Sequence, residues 1–322
     1  MARRWSGQRA DSITVGLIAA LVLALSPTAP VRADTAELCA PVASAYTPAE
    51  ERSVSIETPD GRIAGTIAAP QGRPRALALL LHGYTGSRNE IPVARGEGMF
   101  TRTARHFAEQ GIATLRIDFL GSGKSDGEWA DTRFSGQARD ATRAAAWLRA
   151  QYAEAGLPLG VLGYSQGGLV ALRAAALSNP FDRLALWNPV MDPLATYGII
   201  FGEDTIRAAA LLDRPTTADD VAPGTKLRPG FFSELLASDP IGDAANSTSP
   251  VLVVTGRRDP LVVDGVSLAN RLAAGREART RILDVDAGHD LGAISNPPQL
   301  DHVIGCTAAF LLGTGGQPDP TE

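Results

Sequence analysis

Read as a pattern of apolar and polar positions, the chain is a series of short apolar runs separated by amphipathic stretches. Val54 and Ile56 alternate with polar neighbours, Pro59-Asp60-Gly61 supplies a turn, and Ile63 to Ala69 returns, which predicts a β-hairpin. Pro70-Gln71-Gly72 ends it. Ala76 to Leu81 is apolar without interruption, as expected of a strand buried on both faces of a parallel sheet, and it runs into the glycine-bearing loop His82-Gly83-Tyr84-Thr85-Gly86-Ser87. A helix is predicted over Met99 to Gln110, closed by Gly111. A strand follows over Ile112 to Ile117, then a polar loop from Asp118 to Gly127. Apolar positions near Ala141, Ala144, Ala145 and Leu148 place a helix running to about Tyr152. Next come a strand ending at Tyr164, a helix from Leu169, and a strand over Leu184 to Trp187. The rhythm stops between 189 and 249. It resumes with strand Pro250 to Thr255, helix Val262 to Ala274, strand Arg281 to Val285 and helix Pro298 to Leu312.

Strands alternating with helices predict an α/β fold, a mostly parallel sheet with helices on both faces. Residues 52–188 and 250–312 form its core in this reading, and 189–249 is an insertion over the carboxyl edge of the sheet. The insertion holds several prolines and nine acidic residues against four basic ones. Its apolar clusters, Ile199-Ile200-Phe201 and Phe231-Phe232 with Leu235-Leu236, are expected to line an acyl or aryl pocket beneath a mobile cap. The same residues would also suit packing of the cap onto the sheet. The Gly/Pro-rich tail 313–322 is expected to be disordered.

Of the 322 residues, 44% are apolar and 20% charged, which excludes disordered and fibrous classes for the bulk of the chain. A net charge of −5 gives no basic surface for nucleic acid. Arg3, Arg4 and Arg9, the apolar run Ile13 to Leu25, and Val31-Arg32-Ala33 read as a signal peptide over 1–33, cut after Ala33. The mature chain would then open on a short segment, 34–51, in a periplasmic or extracellular compartment. The apolar run is short for a membrane span, so no stable anchor is expected; a retained N-terminal anchor is the competing reading. Cys39 and Cys306 are the only cysteines. After export they would tend to pair, tying the mature N-terminus to the last helix; two unrelated buried thiols are the alternative.

The chemistry centres on Val161-Leu162-Gly163-Tyr164-Ser165-Gln166-Gly167-Gly168, an apolar strand that turns through G-x-S-x-G into a helix. Such a turn holds the serine in a strained conformation with its hydroxyl above the strand end. A serine hydroxyl needs a base, usually a histidine oriented by a carboxylate. Of four histidines, His106 and His302 fall inside helices and His82 belongs to a loop that shapes backbone. His289 follows the last strand at the correct edge. Asp259, just past the strand ending at Thr255, is the expected orienting acid, with Asp264 and Asp192 as alternatives. Backbone N–H groups of Gln166 and Tyr84 are the expected oxyanion donors. No metal or cofactor is expected: there is no H-E-x-x-H and no cysteine cluster. Gly123-Lys124-Ser125 matches only the end of a P-loop, whose opening glycine would fall at Asp118.

These pieces together resemble the α/β-hydrolase superfamily. Within it, His82-Gly83-Tyr84-Thr85-Gly86 and the run from Arg116 to Gly127 resemble capped bacterial cinnamoyl/feruloyl-type serine esterases over roughly residues 52–312. The elbow Gly163-Tyr164-Ser165-Gln166-Gly167 is also similar to that of cutinases and acyl-protein thioesterases. The resemblance implies a Ser–His–Asp ester hydrolase with a cap after the sixth strand, acting on a small-molecule ester with an apolar acyl or aryl group. Ser122 departs from it, standing where the family often has His. A serine peptidase of the proline-aminopeptidase type, an acyl thioesterase or lipase, and a non-catalytic acyl-group binder are the rival readings.

Overall fold

The uninterrupted apolar runs become the centre of an eight-stranded sheet. In the computed structural model, which describes residues 39, 45–94, 96–153, 156–212 and 227–314, the strands lie in the order β1-β2-β4-β3-β5-β6-β7-β8. The expected signal segment, part of 34–51 and the tail beyond 314 lie outside the described residues. β1 (Arg52–Thr58) and β2 (Gly61–Ala68) form the predicted hairpin, and β2 joins β4 (Ile112–Ile117) antiparallel. The other neighbours are parallel: β3 (Ala76–Leu81), β5 (Leu159–Tyr164), β6 (Arg183–Trp187), β7 (Val251–Gly256) and β8 (Thr280–Val285).

Side chains alternate across a strand, so each central strand feeds two cores. Leu77, Leu79 and Leu81 face a core shared with α2 (Phe134–Gln151), α3 (Gln166–Ser178) and α8 (Gly265–Ala273). Ala76, Ala78 and Leu80 face the opposite core, built with α1 (Met99–Glu109) and α9 (Pro297–Leu312). Both faces of β3 are therefore dry, which is why its sequence shows no alternation. Trp187, fully buried on the second side, satisfies its indole N–H by donating to Thr307 Oγ1 at 2.9 Å.

The stretch after β6 folds into α4 (Pro193–Phe201), α5 (Glu203–Ala210), α6 (Pro229–Ala237) and α7 (Pro240–Ala245). Two aspartates stop and start this layer: Asp192 accepts the Ala195 N–H and Asp239 accepts the Gly242 N–H, each as an N-cap. α6 rests on α2. Its Glu234 accepts both the N–H and the hydroxyl of Ser135 at the start of that helix, at 2.8 and 2.6 Å. α7 packs instead on α3 and α8, with Asp243 paired to Arg173 and the Ala244 carbonyl accepting from Arg276. The layer above the sheet edge is thus α4 to α6, and the last part of the 189–249 stretch belongs with the main body.

Cys39 and Cys306 are joined in a disulfide across 267 positions. Among the described residues no helix is long and apolar enough to cross a membrane. A cross-link closing so long a loop removes chain entropy from the unfolded state, worth at most about 5 kcal/mol. Cys39→Ser should therefore lower the thermal midpoint, and reductant should shift the wild type but not the variant; paired melts with and without reductant check this.

Candidate active site

Parallel strands bring their loops to one edge, and register decides which loops meet. Leu81 pairs with Gly163, Tyr164 with Trp187, and Trp187 with Val254, so the residues leaving β3, β5, β6 and β7 emerge side by side. The loop after β8 completes the set, since Gly256 pairs with Val285.

Ser165 sits at φ 54°, ψ −116°, a conformation costing about 1–3 kcal/mol for a residue with a side chain. Its surroundings hold it there. The Ser165 N–H donates to Trp187 O at 2.9 Å, and its carbonyl accepts from Gly168 N at 2.9 Å and Val190 N at 3.1 Å. Room for the turn depends on two missing side chains. A Cβ at Gly163 would strike the Gly167 carbonyl, and one at Gly167 the Leu81 carbonyl.

Ser165 Oγ lies 3.0 Å from His289 Nε2, and His289 Nδ1 lies 2.7 Å from Asp259 Oδ2. With Nδ1–H donating to the carboxylate, Nε2 is left to accept the serine proton. The other Asp259 oxygen accepts the N–H groups of Leu261 and Val262 at 2.8 and 3.0 Å. Burial pushes this carboxyl up, but the His289 hydrogen bond and charge, with those two amides, outweigh it and hold the pKa below the usual value. Of the alternatives, Asp192 is engaged elsewhere, capping α4; the nearby Asp284 and Asp286 pair with Arg257 and Arg258. Asp264 stands at the start of α8 with φ 57° and no side-chain cap bond.

The other histidines also have structural surroundings. His82 is fully buried between two loops: Nδ1–H donates to Gly83 O at 2.9 Å, and Nε2 accepts the Phe119 N–H at 3.2 Å. Desolvation pulls its pKa down to about 4, which keeps the ring neutral and this tautomer fixed. His106 pairs with Glu109 and Asp301 on the surface of α1. His302 lies against Cys306 at 3.6 Å. Among the described residues, Cys39, His302 and Cys306 form the grouping that could suggest a metal, but both sulfurs are committed to the disulfide and supply no thiolate. Gly123-Lys124-Ser125 forms a turn wrapped on Asp118, whose Oδ2 accepts the Lys124 N–H at 2.9 Å and whose carbonyl accepts the Ser125 hydroxyl at 2.6 Å. Ser122 is a buried hydroxyl there with no partner among the described residues.

A cavity of about 240 Å³ opens beside Ser165 and His289, with walls from Tyr84, Ile91, Val190 and Leu261. From the layer above, it is Thr196, Tyr197 and Ile200 that reach it. The expected pocket aromatics lie deeper. Phe231 and Phe232 are fully buried, packing on each other and, through Phe231, on Phe134, while Phe201 stacks on Tyr197 at 5.9 Å. Their volume goes into holding the layer on α2, because rings that large lower free energy more in a closed core than at a wet cavity wall.

Two residues at this site carry little or no signal in the sequence. Asn188, buried at φ 40° directly after β6, donates from Nδ2 to Gly288 O at 3.1 Å and His289 O at 2.9 Å, and its Oδ1 accepts the Gly256 N–H at 2.7 Å. One carboxamide thus brackets the loops carrying His289 and Asp259. Tyr164 OH adds a bond to His289 O at 3.2 Å. The second is Glu90, whose carboxyl reaches under the His82–Gly86 loop and accepts the Gly83 N–H. A polar residue immediately after an apolar strand at the loaded edge was the available hint for Asn188; a lone Glu in a glycine-bearing loop gives none.

The sequence pattern of the family described as serine aminopeptidase, S33, matches residues 72–214. A curated relative, the uncharacterized 31.7 kDa protein in the traX-finO intergenic region of Escherichia coli, is 32% identical over 115 residues. That match covers 35% of this chain and 37% of the relative, so the chain spans little more than a third of that relative's length. Among solved structures, the ferulic acid complex of Est1E from Butyrivibrio proteoclasticus superposes with a TM-score of 0.62 at 22% identity, over 81% of this chain and 98% of that one. Esterase Pf2001 of Pyrococcus furiosus gives 0.59 at 24%, over 83% and 92%. The α/β hydrolase GrgF from Penicillium gives 0.61 at 18%, over 83% and 99%. The chain has the α/β-hydrolase fold.

Asn188→Ala would remove the side-chain partner of the Gly256 N–H and the Gly288 carbonyl, and one of the two partners of the His289 carbonyl, which keeps the Tyr164 hydroxyl. At 1–3 kcal/mol for an unsatisfied group, partly relieved by water, we expect a loss of about 3 kcal/mol, read from urea midpoints. His82 gives a pH signature. Its folded pKa is depressed from 6.5 to about 4, so the folded state binds the proton less readily than the unfolded chain. The stability it contributes is present above pH ~6.5 and is lost as pH falls toward ~4, by about 3 kcal/mol. Urea midpoints at pH 7 and 4.5, with His82→Asn for comparison, check it.

Proposed function

We propose that this chain, an α/β hydrolase by fold, is an exported serine hydrolase that cleaves carboxylic esters, with Ser165 as nucleophile, His289 as base and Asp259 as the carboxylate that orients it. The observation that carries the reading is the continuous contact from Asp259 through His289 to Ser165, at a serine held above a strand end. Each part has a chemical task. Ser165 Oγ attacks the ester carbonyl as Nε2 of His289 takes its proton. Asp259 stabilises the imidazolium that results. The Gln166 N–H, left without an intrahelical acceptor at the first turn of α3, faces the oxyanion together with the Tyr84 N–H. His289 then protonates the departing alcohol. Water, deprotonated by the same ring, attacks the acyl-enzyme and frees Ser165.

The cavity supports the substrate class. About 240 Å³ bounded by aliphatic and tyrosine side chains suits a short apolar acyl group or a single aromatic ring better than a long acyl chain. The bound ferulic acid named for the Est1E structure points the same way. A serine aminopeptidase is the second reading, favoured by the family match over 72–214. It needs a carboxylate to receive a substrate ammonium; among the described residues the layer above the cavity contributes only Thr196, Tyr197 and Ile200, and the carboxyl on the cavity wall, Glu90, is already bonded to the Gly83 N–H.

Ser165→Ala should remain folded and lose roughly 10⁶-fold in kcat on p-nitrophenyl acetate, and Asp259→Asn roughly 10⁴-fold. Near-normal turnover in Asp259→Asn would reassign the acid. Comparing p-nitrophenyl acetate and ferulate esters with an aminoacyl p-nitroanilide separates ester hydrolysis from aminopeptidase activity.

A further inference from the structure

Gly83 stands where the oxyanion loop crosses the nucleophile. A Cβ on it would lie 3.3 Å from both Ser165 Cβ and the Tyr164 ring, so a side chain there would crowd the nucleophile. Glycine has the widest backbone freedom of any residue, yet the Tyr84 N–H that follows must keep one direction to serve as a donor. The peptide after Gly83 is held through its carbonyl, which accepts from His82 Nδ1 at 2.9 Å and Gly86 N at 3.1 Å. The peptide before it is held through its N–H, which donates to Glu90 Oε1 in a short hydrogen bond.

Glu90 is set in place at a cost. It occupies φ 55°, a left-handed conformation that is unfavourable for a residue with a side chain by about 1–2 kcal/mol. Gly86 leaves the space its carboxyl fills, since a Cβ there would strike Glu90 Oε1. The guanidinium two residues earlier, on Arg88, is committed to Asp118. The carboxyl therefore faces the loop and the cavity wall without that partner.

We propose that Glu90 is a positioning residue for the oxyanion donor: its carboxyl and the His82 ring clamp the two peptides of Gly83 and so aim the Tyr84 N–H at the oxygen of the carbonyl that Ser165 attacks. The proposal rests on the ester-hydrolase reading above. Glu90 acts through Gly83, whose N–H its carboxyl accepts. The other titratable groups that line the same cavity are Tyr84 on its own loop, Tyr164 on β5, Tyr197 on α4 and His289 after β8. Burial pushes the carboxyl up to about 7, against the pull of the Gly83 and Ile91 amides. A folded pKa raised from 4.5 means that the folded state holds the proton more tightly than the unfolded chain. Stability is then lost as pH rises from ~4.5 to ~7. The residue thus favours geometry over stability, and a packing residue would not.

The test compares wild type, Glu90→Gln, Glu90→Leu and Ser165→Ala on p-nitrophenyl acetate and with a fluorophosphonate probe, alongside thermal melts at pH 5 and pH 8. Glu90→Gln keeps an oxygen for the Gly83 N–H and should lose about 10-fold in kcat, and Glu90→Leu about 10²-fold, with KM within twofold and probe labelling slowed in step. At pH 8 Glu90→Gln should melt at or above the wild-type temperature while turning over more slowly. Unchanged kcat in a folded variant, a rise in KM alone, or a kcat loss that tracks a lowered melting temperature at pH 8 overturns the proposal while leaving ester hydrolysis standing. If Glu90→Leu does not fold, Glu90→Gln alone decides. A wild type inert to both ester and probe overturns the ester-hydrolase reading and this proposal with it.

Discussion

Helix α3 begins so close to the ends of β3 and β5 that no Cβ fits between them at Gly163 or Gly167. The approach forces Ser165 into a conformation that a free peptide avoids, and it is stable only because packing on either side is already complete. The central strands bury both faces, so the sheet cannot yield. The Ser165 backbone is paired to Trp187, Gly168 and Val190, so relaxing the turn would break three hydrogen bonds. Strain at one residue is held by the rigidity of two cores.

The polar part of the structure answers to the same geometry. An edge where six strands end collects unpaired backbone groups, and each needs a partner away from water. His82 joins the β3 loop to the β4 loop, Asp118 gathers the Arg88 and Lys124 amides, and Asn188 joins the loops after β7 and β8. Neutral or internally paired side chains do this work beside the Asp259–His289 pair, so little stray charge competes with it. Burial drives His82 down and Glu90 up, both toward the neutral form.

Much of the sheet was legible because its signal is local. Runs such as Ala76–Leu81 and Val251–Gly256 state their own burial, and their alternation with helices leaves few ways to assemble them. The loops bearing Ser165, Asp259 and His289 were legible because each follows such a run, and the structure brings them together. The cap was read less well. Its aromatic residues mark apolar demand without saying which surface meets it: of the two roles open to them, pocket lining and packing, Phe231 and Phe232 take packing, and α7 rests on α3 and α8. Asn188 and Glu90 act through bonds to residues 7 to 101 positions away, and nothing in their neighbours announces such partners.

The place of Asn188 in the chain bears on how such a molecule can change over generations. Its carboxamide closes on the His289 and Gly256 loops before the chain leaves the sheet at Asp192, and the body resumes at Asp239 with α7 on α3. Everything between is a detour whose two ends are fixed by helix caps. Yet the Tyr197 hydroxyl of that detour donates to Gln166 Oε1 and its ring meets that of Tyr84, so a change in the layer is felt by the residues beneath. The layer that covers the cavity is thus tied to the Ser165 turn through Tyr197, and a change in one constrains the other.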